Sequence, residues 1–196
     1  LGKYLVRRMD GNPSTGLRAR EIALMIMETE AYDGHKDKAS HASRGQTPRN
    51  TPMFGQACTI YMYFTYGMHW MLNIVCGKAG YPAAVLIRGL QSEGKVFCTL
   101  DGSATTLRSG EMNTTSTPPR RVVASLLNGP AKLTKFLKID KSLNNKPLGP
   151  KTGLWIEDRG VKVLPRHIQR TPRIGVAYAG EYAKKRWRFV LKTSKK

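Results

Sequence analysis

The chain has 196 residues, enough for one domain with a single sizeable core. Lysine and arginine number 33 against 13 aspartates and glutamates, a formal net charge of +20, while 40% of the residues are apolar, as in a chain that folds. Such a surplus of positive charge points to a polyanion, nucleic acid first, and no apolar run approaches the ~20 residues of a membrane-spanning helix.

Leu1 to Met9 reads as a strand ended by the turn-forming run Asp10-Gly11-Asn12-Pro13. Arg18 to Glu30 fits two readings. Its Ala, Leu, Met and Glu content favours a helix, yet Ile22, Leu24, Ile26, Glu28 and Glu30 also fit one face of a strand. Residues 33–56, polar with Gly and Pro, read as a long structured loop, a class that is often functional. Cys58 to Val75 carries β-branched and aromatic residues on both sides of Tyr66-Gly67, which predicts a β-hairpin turning at Gly67. Ala83 to Ile87 reads as a buried strand, and residues 101–121, rich in Ser, Thr, Gly and Pro, as a mobile loop. Asn128-Gly129-Pro130 opens a helix through AKLTKFLKI, and RWRFVL reads as a last strand before a basic tail. No repeat or linker divides the chain, so the expected class is mixed α/β, mostly antiparallel, in one domain. Cys58, Cys76 and Cys98 are widely spaced without a C-x-x-C pair, which argues against a disulfide framework or zinc site and for a reducing compartment. No signal peptide is visible, and the opening Leu1 leads to the expectation that a native N-terminal part is missing.

Two acids one residue apart, Glu28 and Glu30, end an otherwise apolar run in a chain poor in acids. They are either solvated punctuation or chemistry. Tyr61 and Tyr63 share a strand face, for which ordinary packing is the plain reading. Tyr66 falls at the turn, where a large aromatic is not core; on a basic protein it is placed to wedge between bases. His35 and His41 lack the Cys or acidic companions of a metal site. Arg18, Arg20, Arg44 and Arg49 flank the glutamates and the loop, as a solvated basic face or as phosphate contacts.

ETEAY at 28–32, His41 nine residues beyond Tyr32, TPRN at 47–50, MF at 53–54, YMYFTYGM at 61–68, LN at 72–73, LIR at 86–88, NGPAKL at 128–133 and RIGVAYAGEYA at 173–183 form an ordered series. Together they resemble the alkyladenine (3-methyladenine, methylpurine) DNA glycosylase family of base-excision repair, along nearly the whole chain. The resemblance implies one α/β domain with a curved antiparallel sheet, a protruding hairpin and surrounding helices, on which METEAY is strand. It implies removal of alkylated or deaminated purines from duplex DNA, by a monomer without cofactor or metal, in a nucleus or a bacterial nucleoid rather than outside the cell.

The same resemblance implies roles. Glu30 matches the carboxylate that orients water for attack on the deoxyribose, Glu28 a supporting group, and Arg88 an arginine near that water. Tyr32, His41 and Tyr63 match the aromatics that sandwich the flipped purine, Ala39 a main-chain group at the base edge, and Val176 a backbone contact to the water. Asn73 matches the pocket floor, where it opposes the amino group of normal guanine. Tyr66 matches the intercalating residue, and Met68, His69, Thr47, Arg49 and Met53 match contacts to the DNA stack and backbone. His69 departs from the tyrosine common at its position, the loop at 42–46 is one residue short, and residues 91–121 do not follow the family pattern. No lysine occupies a nucleophile position, so no Schiff base is expected. The competing reading is a basic nucleic-acid-binding module without catalysis, which would need no acid facing the bases.

Overall fold

A computed structural model describes residues 1–9, 19–92, 95–98, 104–107, 121–123 and 126–192, with backbone alone for the three short segments between 95 and 123. The run that composition alone left between helix and strand is strand. β1 (Tyr4–Met9) pairs antiparallel with the first half of β2 (Arg20–Asp33), Tyr4 opposite Met25 and Met9 opposite Arg20. β3 (Ile60–Thr65) and β4 (His69–Val75) form the hairpin, and β5 (Ala83–Gln91) joins β4 to β2. β6 (Lys95–Cys98), β7 (Ala104–Leu107) and β8 (Arg121–Val123) make a separate three-stranded sheet. β9 (Leu126–Asn128) pairs with β5, α1 spans Pro130–Phe136, and β10 (Leu154–Glu157) pairs with β1. β11 (Ile168–Thr171) pairs with β12 (Arg188–Leu191), which in turn pairs with the second half of β2. Every pairing among the described residues is antiparallel, and the main sheet curls, in the order β10-β1-β2-β5-β4-β3. Two-sided pairing along β2 outweighs the helix propensity of its Ala, Leu and Met, a weak preference that tertiary context overrides.

One irregularity sets up everything that follows. Ile26 faces Leu90 and Glu28 faces Gly89, leaving Met27 extra on β2; Thr29 then faces Ile87, leaving Arg88 extra on β5. Ile22, Leu24, Ile26, Ile87 and Leu90 all belong to the main core, yet Tyr32, Leu86 and Arg88 line a cavity on the opposite face. A strand alternates with a period of two, so Ile26 and Glu28 would share a face in a regular ladder. The paired bulges reverse that parity. The expectation that Ile22 through Glu30 share one face is therefore corrected: the isoleucines and leucine face the core and the glutamates face away from it. Gly89 belongs to the same device, since a Cβ there would meet the Glu28 Cβ at 2.9 Å.

The core face is closed by α1. Pro130 starts the helix without forfeiting a needed N–H, and Leu133 and Leu137, four apart and both fully buried, press on the sheet. The segment after the helix runs along β3, with Ile60 and Asn145 exchanging backbone hydrogen bonds with their neighbours and Asn144 Oδ1 accepting from Met62 N–H, so that strand edge is covered. α1 is the one α-helix among the described residues, and short 3-10 turns make up the other helical segments around the sheet. Within the expected loop at 101–121, residues 104–107 and Arg121 are strand instead; residues 101–103 and 108–120, the turn at 10–13 and the basic tail at 193–196 lie outside the described residues. Among the described residues no helix is long and apolar enough to cross a membrane.

Candidate active site

The two glutamates do different jobs. Glu28 Oε1 accepts from Arg88 Nε at 3.0 Å and from Arg188 Nε at 2.6 Å, two charge-assisted bonds that commit it as an anchor. Glu30 is fully buried. Its Oε1 accepts the Ile174 N–H at 2.8 Å and lies 3.4 Å from Arg88 Nε, and its Oε2 accepts the Tyr32 hydroxyl at 2.9 Å. Each carboxylate oxygen has lone-pair capacity beyond these bonds. Burial, the adjacent Glu30 charge and the hydrogen bond to it all raise the Tyr32 phenol above its ordinary range, so Tyr32 stays a donor to the carboxylate.

Around this acid the sheet and two covering segments form a cavity of about 290 Å³. Tyr32, Tyr63, Tyr66, Asn73, Arg88 and Val176 are among its walls. Tyr61, Tyr63, Asn73 and Leu86 reach it from β3, β4 and β5 by strict alternation, with Tyr61 opposite Asn73 and Asn73 opposite Leu86. Asn73 is held rigidly: its amide nitrogen donates to the carbonyls of Tyr61 and Met71, both at 3.2 Å. His41, from the 33–56 loop, stacks on Tyr63 with ring centroids 3.5 Å apart and 18° between planes, and its Nδ1 sits 3.0 Å from the Tyr61 hydroxyl. Desolvation, then the Arg49 charge, lowers the His41 imidazole to about 4, although water at its open edge screens part of the effect. At neutral pH His41 is an uncharged aromatic platform. Burial raises the Tyr61 phenol, which stays protonated beside it.

The structure brings Glu30, Arg88, Tyr32, Ala39, His41, Tyr63, Asn73, Val176 and Tyr66 around one space, although they derive from residues 30 to 176. Tyr66 and Met68 sit at the hairpin tip, 81% and 67% exposed. Met68 N–H closes the turn onto the Thr65 carbonyl, with Tyr66 at φ 50° and Gly67 at φ 66°. A bulky side chain in the left-handed region is a strained position of the kind found at functional sites. His69, at the start of β4, and Thr47, on the loop, are exposed as a DNA contact requires. Arg49 is exposed too, donates to the Phe64 carbonyl and stacks 4.1 Å over the Tyr63 ring, so it braces the pocket wall as well. Met53 is corrected: it is 2% exposed and lines the cavity from a buried cluster with Ala42, Tyr61, Val75 and Ala84, so its side chain is not presented to a DNA backbone.

Next to the cavity, and sharing His41, Tyr63 and Tyr178 with it, lies an open cleft of about 600 Å³ whose charged walls are Lys38, Arg44 and Arg49. Among the described residues no carboxylate lines it. Four groups escaped the sequence reading: Asp37, Arg173, Tyr178 and Arg188. Arg173 pairs with Asp37 across 136 residues and Arg188 with Glu28 across 160, and no local pattern announces a partner that distant. The faint signal for Arg173 and Tyr178 was their place within the RIGVAYAGEYA run.

The sequence profile of the methylpurine-DNA glycosylase family matches residues 1–195. The chain belongs to that family. Membership makes it a DNA glycosylase of repair, a hydrolase of N-glycosyl bonds. Among its relatives is a protein named putative 3-methyladenine DNA glycosylase from Methanocella arvoryzae, 43% identical over 99% of this chain and 84% of the relative. Another of the same name, from Psychrobacter cryohalolentis, is 38% identical over 92% of this chain and 78% of its own length. The human DNA-3-methyladenine glycosylase is 37% identical over 99% of this chain, which spans 60% of the human protein.

Proposed function

We propose that this glycosylase rotates a damaged purine (3-methyladenine, 7-methylguanine, hypoxanthine or ethenoadenine) out of duplex DNA and hydrolyses its N-glycosidic bond. The observation that carries the reading is Glu30, a buried carboxylate behind a cavity walled by Tyr32, Tyr63, His41 and Arg88. A pure binding surface has no use for an acid there.

In this reading the base lies between Tyr32 and the His41–Tyr63 stack. Stacking contributes roughly 1–3 kcal/mol per base, comparable with the few kcal/mol that extrusion costs. A cationic alkylated purine gains further from the electron-rich rings. Tyr66 fills the gap left in the duplex, and the rigid Asn73 opposes the exocyclic amine of an undamaged guanine. Glu30 takes a proton from water as the water oxygen bonds to C1′; the C1′–N bond breaks with its electron pair leaving on the purine, so that a cationic alkylpurine departs neutral and a neutral purine departs as an anion that takes a proton from solvent. The products are the free base and an abasic site. The negative charge of Glu30 also stabilises the oxocarbenium character of the transition state. Phosphates of the damaged strand run along the surface of Thr47, Arg49, Met68 and His69. The enzyme acts as a monomer, in a nucleus or a bacterial nucleoid where its DNA resides.

The test is direct. Duplexes carrying one hypoxanthine or one alkylated adenine are incubated with the protein and then treated with alkali, which breaks the strand at abasic sites. Breakage at the lesion is expected. Intact strands with both substrates would overturn the enzyme reading and leave a basic binding module.

A further inference from the structure

Arg173 and Asp37 form a bidentate ion pair, Nη1 to Oδ2 at 2.6 Å and Nη2 to Oδ1 at 2.8 Å, with both side chains fully buried. Neither lines the cavity. Burying two charges is costly, and a buried pair is often no more stabilising than an apolar one of equal volume. Here the guanidinium also leaves Nε without a protein acceptor. Stability alone is thus a poor account of the pair, and what it touches suggests another.

Arg173 donates further to the carbonyls of Ala31 on β2, at 2.9 Å, and Tyr182 in the C-terminal segment, at 3.2 Å. Its guanidinium lies 4.7 Å from the centroid of the Tyr32 ring and 5.1 Å from that of Trp187, within cation–π range of both. Since Arg173 is buried and Tyr32 lines the cavity, the cation braces the ring from behind. The next residue, Ile174, gives its N–H to Glu30. At the other end of the pair, Asp37 Oδ1 accepts the Ala39 N–H at 3.0 Å and Oδ2 the Asp33 N–H at 3.3 Å. One pair of side chains therefore ties together three pieces of chain beside the cavity: the end of β2, the 33–41 loop, and the segment after residue 173.

We propose that Arg173 and Asp37 are positioning residues of the glycosylase reaction, a planar clamp that aligns the Tyr32 ring, the Ala39 backbone and the Ile174 N–H that orients Glu30. The proposal rests on the function argued above for Glu30. It demands a guanidinium: lysine keeps the charge but has neither the two-pronged fork nor the flat face that stacks on Tyr32.

Arg173→Lys and Asp37→Asn are compared with the wild type, below the melting temperature of each. Single-turnover release of hypoxanthine should fall between about 10- and 100-fold, the cost of roughly an ångström of misplacement. Affinity for an abasic-site duplex should hold within about threefold, because phosphate contacts dominate it. Adding guanidinium ion to Arg173→Ala should restore part of the rate, and equal ammonium should not. Hydrogen exchange supplies a readout independent of turnover. The Ile174 and Ala39 amides should lose protection in both variants while the Leu24 amide keeps it. Arg173→Lys within about threefold of wild-type rate, or rate and affinity falling together, would overturn the clamp, as would unchanged exchange at Ile174 and Ala39. If the wild type itself released no base, the glycosylase reading would fail and the role in catalysis with it. Lost Ile174 protection would then leave only an aligning role in the fold.

Discussion

The two halves of β2 belong to one continuous strand, yet they serve opposite ends. Before Met27, Ile22, Leu24 and Ile26 lie in the main core, at most 4% exposed, against Ile87, Leu90 and Leu133. After it, Glu28, Glu30 and Tyr32 meet Arg88, Arg188 and a cavity. Only a coupled pair of bulges separates the halves. Rigid apolar packing on one side of Met27 holds polar groups on the other side in place, so that charged hydrogen bonds need not find their own geometry in water. The carboxylate proposed as catalytic would benefit from this, because groups preset for the transition state cost no reorganisation during reaction.

Mutations on either side of Met27 should separate stability from chemistry. Glu30→Gln should lower single-turnover base release by about 10²–10⁴-fold, because an amide cannot take the proton of water. Binding to an abasic-site duplex should survive it. Wild-type single-turnover rates in Glu30→Gln would remove Glu30 from the mechanism. Leu24→Ala should do the reverse, costing about 2–5 kcal/mol of stability with an unchanged rate per folded molecule. Between these extremes, Glu28→Gln should lose about 1–3 kcal/mol in denaturant titration, since two partly buried arginines lose their counter-charge. Its rate should fall less than that of Glu30→Gln. Equal rate losses in the two glutamine variants would erase the distinction drawn between the glutamates.

How much of this was legible beforehand follows the same boundary. The hairpin, the start of α1 at Pro130 and the last strand were readable because turn glycines, a helix-starting proline and β-branched runs are local signals. The choice of Glu30 over Glu28 rests on the ETEAY resemblance; spacing does not make it, because both acids lie past the bulge and differ only in partners that come from far along the chain, Arg188 for Glu28 and Ile174 for Glu30. The motif that holds Met53 points it at the DNA surface, but its buried neighbours Ala42 and Val75 come from elsewhere in the chain. Asp37 and Arg173 were out of reach for the same reason, with 136 residues between them.

A smaller effect tests the pocket side through pH. The folded protein holds His41 near 4, against an ordinary 6.5. Between those values the unfolded chain takes up a proton that the folded chain resists, so stability falls as pH drops through the window and is indifferent to His41 above it. Melting temperature measured from pH 8 to 4.5 should fall more steeply below about 6.5 in the wild type than in His41→Gln. Water at the open ring edge makes the difference modest. A steeper acid fall in the variant would mean that His41 is charged in the fold, and the neutral platform under the base would be lost.

The smallest expected change in stability belongs to the residue that stands farthest from any core. Tyr66 is 81% exposed at a turn where φ is 50°, so it has almost no packing to lose. Tyr66→Ala should move stability by about 0.5 kcal/mol or less. Tyr66→Gly should match or exceed the wild type, because glycine adopts positive φ without strain. Duplex excision should nonetheless fall in both, since nothing then occupies the gap that an extruded purine leaves. The deficit should shrink when the lesion sits in a mismatch or a single strand, where extrusion is already cheap. Melting temperature beside excision rate on the two substrates reads both quantities at once. A large drop in melting temperature with unchanged excision per folded molecule would make Tyr66 a structural residue, and the hairpin tip would cease to be the wedge.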